Sequence, residues 1–402
     1  MLRSSGAKVA LLDCMEPGGS DVSWPRTSRY GTGRYPKVQF PKPAVLRNIP
    51  RNWGRYGLPV ETVQSLLARS RRPDGILITT AMTYWYPGVT AMVHLLRRIW
   101  PKVPIVLGGV YATLCPEHAK SEEVDLVLQG PFEEPRSWGR FWRLWGMSAP
   151  PIPPDAGLHL ALDLYDRPDF SVLLGSRGCP FRCSYCASGQ LFSGFRRRSP
   201  ESLFSALEQD FQRGVRDFAF QDDALLVDAQ SWLVPWLEMT ARLKSPVRLH
   251  TPNAVHIRYL NQSLCTMMRK ARFVTIRLGL ETSSFAHRND QKLDAEHWER
   301  GVRALFSAGF QSERIGVYIL SGLPGQEFDD VVASVRFVRS FGLQPHLAHY
   351  SPIPGTQLFQ QACAASDHPL ASEPLFHNPS LWPCVPGGFS PERQRNLQRL
   401  LE

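Results

Sequence analysis

Three cysteines, Cys179, Cys183 and Cys186, stand in the stretch Arg177-Gly-Cys-Pro-Phe-Arg-Cys-Ser-Tyr-Cys-Ala-Ser-Gly189. Their C-x3-C-x2-C spacing lies on a loop punctuated by Gly and Pro, directly after an apolar run, Ser171 to Gly175, that reads as a strand. Three thiolates this close can hold three corners of a cubic iron–sulfur cluster. A cluster held wholly by protein takes a fourth cysteine, so three leave one iron with an open coordination site. Structural zinc asks instead for two C-x2-C knuckles or an added histidine pair at ligand spacing. Neither follows here.

This loop, with Tyr185 just ahead of the third cysteine, resembles the cluster loop of the radical S-adenosylmethionine superfamily. The resemblance implies a [4Fe–4S] cluster whose open iron is chelated by the methionyl amino and carboxylate groups of S-adenosylmethionine. It also implies that an electron from the cluster cleaves that cofactor to a 5′-deoxyadenosyl radical. A cellular reductant such as flavodoxin or ferredoxin is the implied partner.

The elements around the loop repeat a strand-then-helix unit. Strands read at residues 172–175, 217–220, 247–251, 273–279, 315–320 and 345–350, with helices between them. Ser199 and Pro200 mark one helix start by their cap and first-position preferences. Six such units suit the partial six-stranded (β/α) barrel that the resemblance implies, and barrel chemistry gathers at the carboxyl ends of strands. After the second strand stand Asp222 and Asp223; the resemblance puts them near the methionyl ammonium, and an acid pair at a helix N-terminus is the alternative. Asn253 follows the third strand as a partner for the cofactor's ribose or carboxylate. Glu281, in Gly279-Leu-Glu-Thr-Ser283, resembles the turn that contacts ribose and methionyl groups. Gly322 and Gly325, in Ser321-Gly-Leu-Pro-Gly325, resemble the turn that cradles adenine. Pro352-Ile-Pro-Gly-Thr356 matches a closing motif of structural type. The histidines show no metal pair at helical spacing.

The first part of the chain alternates in the same way. Strands read at residues 8–13, 75–80, 104–109 and 125–129, with helices over 59–72 and 88–99 and a short one from Pro116. This pattern implies a doubly wound parallel sheet. It resembles the cobalamin-binding domain found ahead of many radical S-adenosylmethionine enzymes: Thr80-Ala-Met82 precedes Gly108-Gly109 by 28 residues, and these four residues (Thr80, Met82, Gly108, Gly109) are the implied cobalamin contacts. The Asp-x-His-x-x-Gly motif that donates an axial histidine is missing, and the chain reads as beginning at that domain's second strand. Trp138, Phe141, Trp142 and Trp145 form one aromatic stripe on a helix, expected to pack between two domains, with a membrane surface as the alternative. The expected division is 1–135 for the cobalamin-binding-like domain, 136–165 for the aromatic helix and Pro-rich linker, 166–357 for the barrel, and 358–402 for a tail covering it.

Composition bounds the rest. The chain has 402 residues, a hydrophobic content of 43% and a formal charge of +10. Between Pro17 and Val60, eight basic residues face Asp21 alone; this basic, aromatic segment reads as a cover over an anionic ligand or as a solvated loop. No apolar run reaches the ~18 residues of a spanning helix, and Asp13 interrupts the short apolar start, so a soluble, cytoplasmic protein is expected. The remaining cysteines read as buried free thiols. The resemblance implies a cobalamin-dependent methyltransferase acting on an unactivated carbon of a small hydrophobic or anionic molecule. Rearrangement, cyclisation or oxidation stay open, as does methylthio transfer, although the second cluster and RNA-binding tail it needs are not found. A non-catalytic cluster- or corrinoid-binding protein is the reading from another class.

Overall fold

The computed structural model describes residues 1–16, 35–153, 160–165, 168–288, 290 and 292–402. Most of the basic segment, residues 17–34, lies outside the described residues. The chain divides into two compact units. The first comprises Met1–Gly157, Ala161–Pro168 and Pro369–Leu381; the second comprises Leu158–Leu160, Asp169–His368 and Trp382–Glu402.

The first unit opens with an antiparallel ribbon of β1 (Lys37–Gln39) and β2 (Gly54–Tyr56), followed by α1 (Val60–Arg69). There follow β3 (Ile76–Thr80), α2 (Tyr86–Ile99), β4 (Ile105–Gly108), α3 (Gly109–Leu114), α4 (Pro116–Ala119), β5 (Leu126–Val127) and α5 (Pro135–Arg143). β3, β4 and β5 pair in parallel and in chain order, with Ile76 opposite Ile105 and Val106 opposite Leu126. Ile105, Val106 and Leu107 of the central strand are at most 2% exposed, the continuous apolar run of a strand covered on both faces. α2 buries Val89, Val93 and Leu96, the i, i+4, i+7 face of an amphipathic helix.

Two expectations are corrected here. Residues 8–13 form no strand; Leu11 is 46% exposed and the segment pairs with none of the described strands. An apolar run does not supply the neighbour that a strand needs. The aromatic stripe of α5 packs inside its own unit: Trp138, Phe141 and Trp142 are buried with Val106 and Leu128, and Trp145 lies beside them. Trp138 Nε1 also donates to the Pro150 carbonyl at 2.7 Å, so the stripe is spent on the sheet of its own unit.

The second unit contains β6 (Phe170–Leu173), β7 (Ser176–Arg177), α6 (Ser188–Leu191), β8 (Arg196–Arg197), α7 (Pro200–Gln212), β9 (Asp217–Phe220), α8 (Ala229–Ala241) and β10 (Arg248–His250). It continues with α9 (Gln262–Lys270), β11 (Phe273–Glu281), α10 (Ala295–Ser307), β12 (Ile315–Ser321), α11 (Phe328–Ser340), β13 (Gln344–His349), α12 (Phe359–Ala365) and α13 (Pro391–Leu401). Six strands make one parallel sheet in the order β6-β9-β10-β11-β12-β13, each beside its successor. Side-chain caps start the intervening helices: Ser199 accepts from the Ser202 amide, Asn261 from Leu264 and Asp294 from His297, each contributing about 1 kcal/mol. The core lies between sheet and helices. Phe220 meets Trp236 edge-on at 5.2 Å and stacks on Phe273 at 5.9 Å. In β11, Ile276, Leu278 and Leu280 are fully buried, and the period-2 alternation gives Thr275, Arg277, Gly279 and Glu281 to the other face. This is the predicted α/β architecture.

The tail does more than cover the barrel. Its last part returns to the second unit, where Trp382, Phe389 and Leu397 pack with Val331 of α11. The preceding Pro369–Leu381 belongs to the first unit.

Candidate functional site

The cysteine loop leaves β6 and is bracketed by the antiparallel pair β7–β8, with Ser176 opposite Arg197 and Arg177 opposite Arg196. Its start is fixed from below by Asp222. That carboxylate accepts from the Gly175 amide at 3.2 Å, and from the Ser176 amide and hydroxyl, the last at 2.6 Å. Gly178 follows at φ +80°, where an added Cβ would lie 2.1 Å from the Gly194 carbonyl oxygen; only glycine lets the loop turn this close to its return strand. On the far side the Leu358 amide donates to the Ser184 carbonyl at 2.9 Å. Gly355 of the Pro352–Thr356 motif lies against Gln190, 2.5 Å from its Oε1 if a Cβ were added. The closing motif therefore props the cysteine loop.

Cys183 is buried, Cys179 half-buried and Cys186 exposed. Burial pushes the Cys179 and Cys183 thiols up, and Lys292 pulls both down. The Phe181 amide donates to Cys179, and the Ser188 amide donates to Cys186 Sγ at 3.5 Å. Among the described residues no three His, Cys, Asp or Glu side chains are arranged to hold a metal ion. A cubic cluster asks for no such convergence, since each thiolate binds a different iron. Three neighbouring thiols, each receiving an N–H donor and two of them beside the Lys292 ammonium, fit that donor set.

Beside the cysteines sits a group of ionisable side chains at the end of β11. Glu281 occupies a positive-φ position, φ 64°, at a register shift in the β11–β12 pairing. A non-glycine residue held there costs of order 1–3 kcal/mol, a strain typical of functional sites. Its carboxyl is pushed up by burial, against the pull of Lys292 and Arg288, and it accepts a hydrogen bond from the Tyr185 hydroxyl. Lys292 Nζ donates to Tyr185 Oη at 3.4 Å and lies 5.6 Å from the centre of its ring. Burial works against the Lys292 ammonium, but Glu281, Cys183 and Asp290 more than offset it and leave its pKa raised. Next to this group, His256 stacks on Phe181 of the cysteine loop at 4.7 Å, and burial, then Lys292, lowers its pKa to about 3. Lys292 and His256 belong to no motif in the sequence; only the folded loop brings them to the cysteines.

The other expected residues fall at the same carboxyl edge of the sheet, with different duties. Asp222 is 2% exposed and its oxygens are taken by the cysteine loop, so its expected role at the methionyl ammonium is corrected to bracing. Asp223 is exposed and accepts from Ser188 Oγ at 3.1 Å. Asn253 ties two strand ends by donating from Nδ2 to the Gln221 carbonyl at 2.9 Å. Gly322 and Gly325, at φ 81° and 72°, shape a turn that Gln326 bolts in place. Its amide group accepts from the Leu323 N–H at 3.2 Å and donates to the Leu320 carbonyl at 3.0 Å.

In the first unit, Thr80, Met82, Gly108 and Gly109 gather at the carboxyl ends of β3 and β4, where Thr80 bridges to Gly109. The two glycines differ. Gly109, at φ +85°, would place a Cβ 2.3 Å from Thr79 Oγ1, whereas a Cβ on Gly108 would meet nothing within 4 Å among the described residues. Gly109 is thus required by the turn itself, and Gly108 is the bare position. A Cβ on Gly130, after β5, would also meet nothing within 4 Å among the described residues, and its amide donates to Thr113 Oγ1 at 3.0 Å. Met82 is 41% exposed. A rim with two uncovered glycines fits the close backbone approach of a bulky ligand.

Comparison with known proteins bears on both halves. The B12 binding domain family matches residues 56–137 and the Radical SAM superfamily matches residues 173–338. An uncharacterised methyltransferase of Pyrococcus horikoshii is 24% identical over 335 residues, 73% of this chain and 70% of that protein. The anaerobic magnesium-protoporphyrin IX monomethyl ester cyclase of Cereibacter sphaeroides is 28% identical over 194 residues, 46% of this chain but only 31% of the cyclase. The structure of the radical S-adenosylmethionine methyltransferase TsrM from Kitasatospora setae, with cobalamin and [4Fe–4S] cluster bound, aligns with a TM-score of 0.61 at 16% identity. That alignment covers 77% of this chain and 72% of TsrM. No helix among the described residues is long and apolar enough to cross a membrane. With a three-cysteine loop at the carboxyl edge of six parallel strands, a glycine rim on the preceding sheet and a family match over each, the chain belongs to the radical S-adenosylmethionine superfamily and carries a B12-binding domain ahead of its radical domain.

Proposed function

We propose that the chain is a [4Fe–4S] enzyme that cleaves S-adenosylmethionine reductively and, with cobalamin, methylates an unactivated carbon of a small molecule. The observation that carries this reading is the presence in one chain of the cysteine loop and the glycine rim, each at the carboxyl edge of its own parallel sheet. The methyltransferase names of two similar proteins support it. Bound, the cluster would supply the electron that splits S-adenosylmethionine and the corrinoid would carry the methyl group.

The chain's own residues would do the rest. Cys179, Cys183 and Cys186 would hold three irons and leave the fourth to the methionyl group. Glu281 and Asn253 present a carboxyl and an amide to its polar atoms, Asp223 offers an exposed carboxylate for the ammonium, and the Gly322–Gly325 turn leaves backbone groups bare for adenine. Thr80, Met82 and Gly108 line the rim for the corrinoid. Electrons would come from a small redox protein such as flavodoxin or ferredoxin.

The likeness to the magnesium-protoporphyrin cyclase favours a second reading, oxidative cyclisation. One anaerobic experiment tests the cluster and corrinoid chemistry on which methyl transfer rests. The protein is reconstituted with iron, sulfide and hydroxocobalamin, reduced, and given S-adenosylmethionine. Deoxyadenosine together with retained corrin absorbance is the expected result. Deoxyadenosine without bound corrin removes the methyl-transfer reading, and an intact cluster with no deoxyadenosine sinks both. Cys183→Ser is expected to lose iron and to lower deoxyadenosine formation by at least about 100-fold; iron analysis and product assay check this.

A further inference from the structure

The segment Pro369–Leu381 lies far along the chain, after the barrel, yet belongs to the first unit. It is anchored by buried Leu370, Leu375, Phe376 and Leu381, each at most 5% exposed. His377, 1% exposed, is its central polar group. The imidazole Nε2 lies 2.8 Å from the Leu370 carbonyl and Nδ1 lies 3.0 Å from Thr83 Oγ1. A carbonyl only accepts, so Nε2 carries the proton and Nδ1 accepts from the threonine hydroxyl. Burial lowers the pKa of His377, in keeping with a neutral ring.

Thr83 directly follows the Thr80-Ala-Met82 rim. It is 4% exposed, whereas Met82 before it is 41% exposed and Trp85 after it is 50% exposed. The turn is therefore held at one buried residue with exposed flanks. A second tie runs from the Tyr86 hydroxyl to Glu373 Oε1 at 3.0 Å, and the Leu375 amide donates to the same oxygen at 3.0 Å. A third runs from Arg51 Nη1 to the Ser380 carbonyl at 2.6 Å. These three ties fall on the first unit, and two of them fall on the residues just beyond the rim.

We propose that Pro369–Leu381 is a strut for the corrinoid rim, with His377 as a positioning residue that holds Thr83 and thereby fixes the Thr80–Met82 turn. This rests on the cobalamin reading above. Without the strut the rim samples other conformations, and apparent affinity falls by the fraction of time it is competent. The strut belongs to the first unit and the cysteine loop to the second, so cluster assembly is expected to proceed without it.

The test uses the full-length protein, titrated anaerobically with hydroxocobalamin and followed by corrin absorbance. Thermal unfolding and iron content are measured in parallel. His377→Ala and Thr83→Val are expected to raise the cobalamin Kd about 10-fold or more with unchanged iron content. Thr83→Val keeps the side-chain shape and removes only the hydroxyl. His377→Gln, whose amide can still donate to Leu370 and accept from Thr83, is expected to restore most of the affinity. Trp138→Phe, which loosens the first unit through α5, serves as the stability control. Wild-type affinity in both His377→Ala and Thr83→Val overturns the strut, as does equal weakening in His377→Ala, Thr83→Val and Trp138→Phe at equal loss of melting temperature. A wild-type protein that takes up no cobalamin removes the cobalamin reading itself, an outcome distinct from either.

Discussion

Asp222 is a carboxyl raised to about pKa 7 by burial, although three hydrogen bonds from Gly175 and Ser176 favour its charged form. An unfolded carboxyl titrates near 3.8, so between about pH 4 and pH 7 the folded state holds a proton that the unfolded state has released. The stabilisation from this group is complete at the acid end and declines as pH rises toward 7. Asp222→Asn has no such titration. The stability difference between wild type and Asp222→Asn, read from the melting of the second unit across that window, is expected to shrink with rising pH. A pH-independent difference would contradict the assignment. Three cysteines were legible because their chemistry is concentrated in eight consecutive positions, 179–186. The bracing role of Asp222 was not, because its partners lie more than forty residues away and its neighbour Asp223, of identical chemistry, faces solvent.

Adjacent glycines at the start of α3 separate two reasons for having no side chain. Gly109→Ala forces a Cβ against Thr79 at positive φ and is expected to cost about 1–3 kcal/mol, lowering the melting temperature of the first unit. Gly108 has φ −133° and no described residue within 4 Å of the added carbon, so Gly108→Ala is expected to leave melting unchanged while weakening hydroxocobalamin binding. Unchanged binding in Gly108→Ala would mean that the corrinoid does not lie over that residue. At this scale the sequence is read well where periodicity and caps coincide, as in α7, with Ser199 at its cap and Leu203 and Leu207 on its buried face. It is read poorly where only an apolar run is present: residues 8–13 have the composition of a strand and, among the described residues, no strand to pair with. The α5 stripe was visible as a stripe, but its burial partners, Val106 and Leu128, lie outside any local pattern.

Across the whole molecule the most consequential contacts are the most distant in sequence. Leu375, 2% exposed, lies in the tail but is part of the first unit. Leu375→Asp buries an unpaired charge and is expected to unfold the first unit while the second still reconstitutes its full iron content. Thermal unfolding together with iron analysis reads both, and two units need not melt as one transition. Loss of iron alongside the first transition would show that the cysteine loop depends on the Pro369–Leu381 segment. The order of strands and their parallel pairing could be anticipated from alternating elements, since each connection is local. The return of Pro369–Leu381 could not, since no local signal distinguishes it from any other Pro-rich coil.

That return has a bearing on how such a chain can be inherited. Two domains joined once, head to tail, can be exchanged by a single recombination in the linker. Here a crossover near residue 160 would pair a new front domain with a strut shaped for the old one. A functional exchange must carry the far Pro369–Leu381 segment along with it, so front and tail are expected to change together, as one heritable piece divided by the barrel.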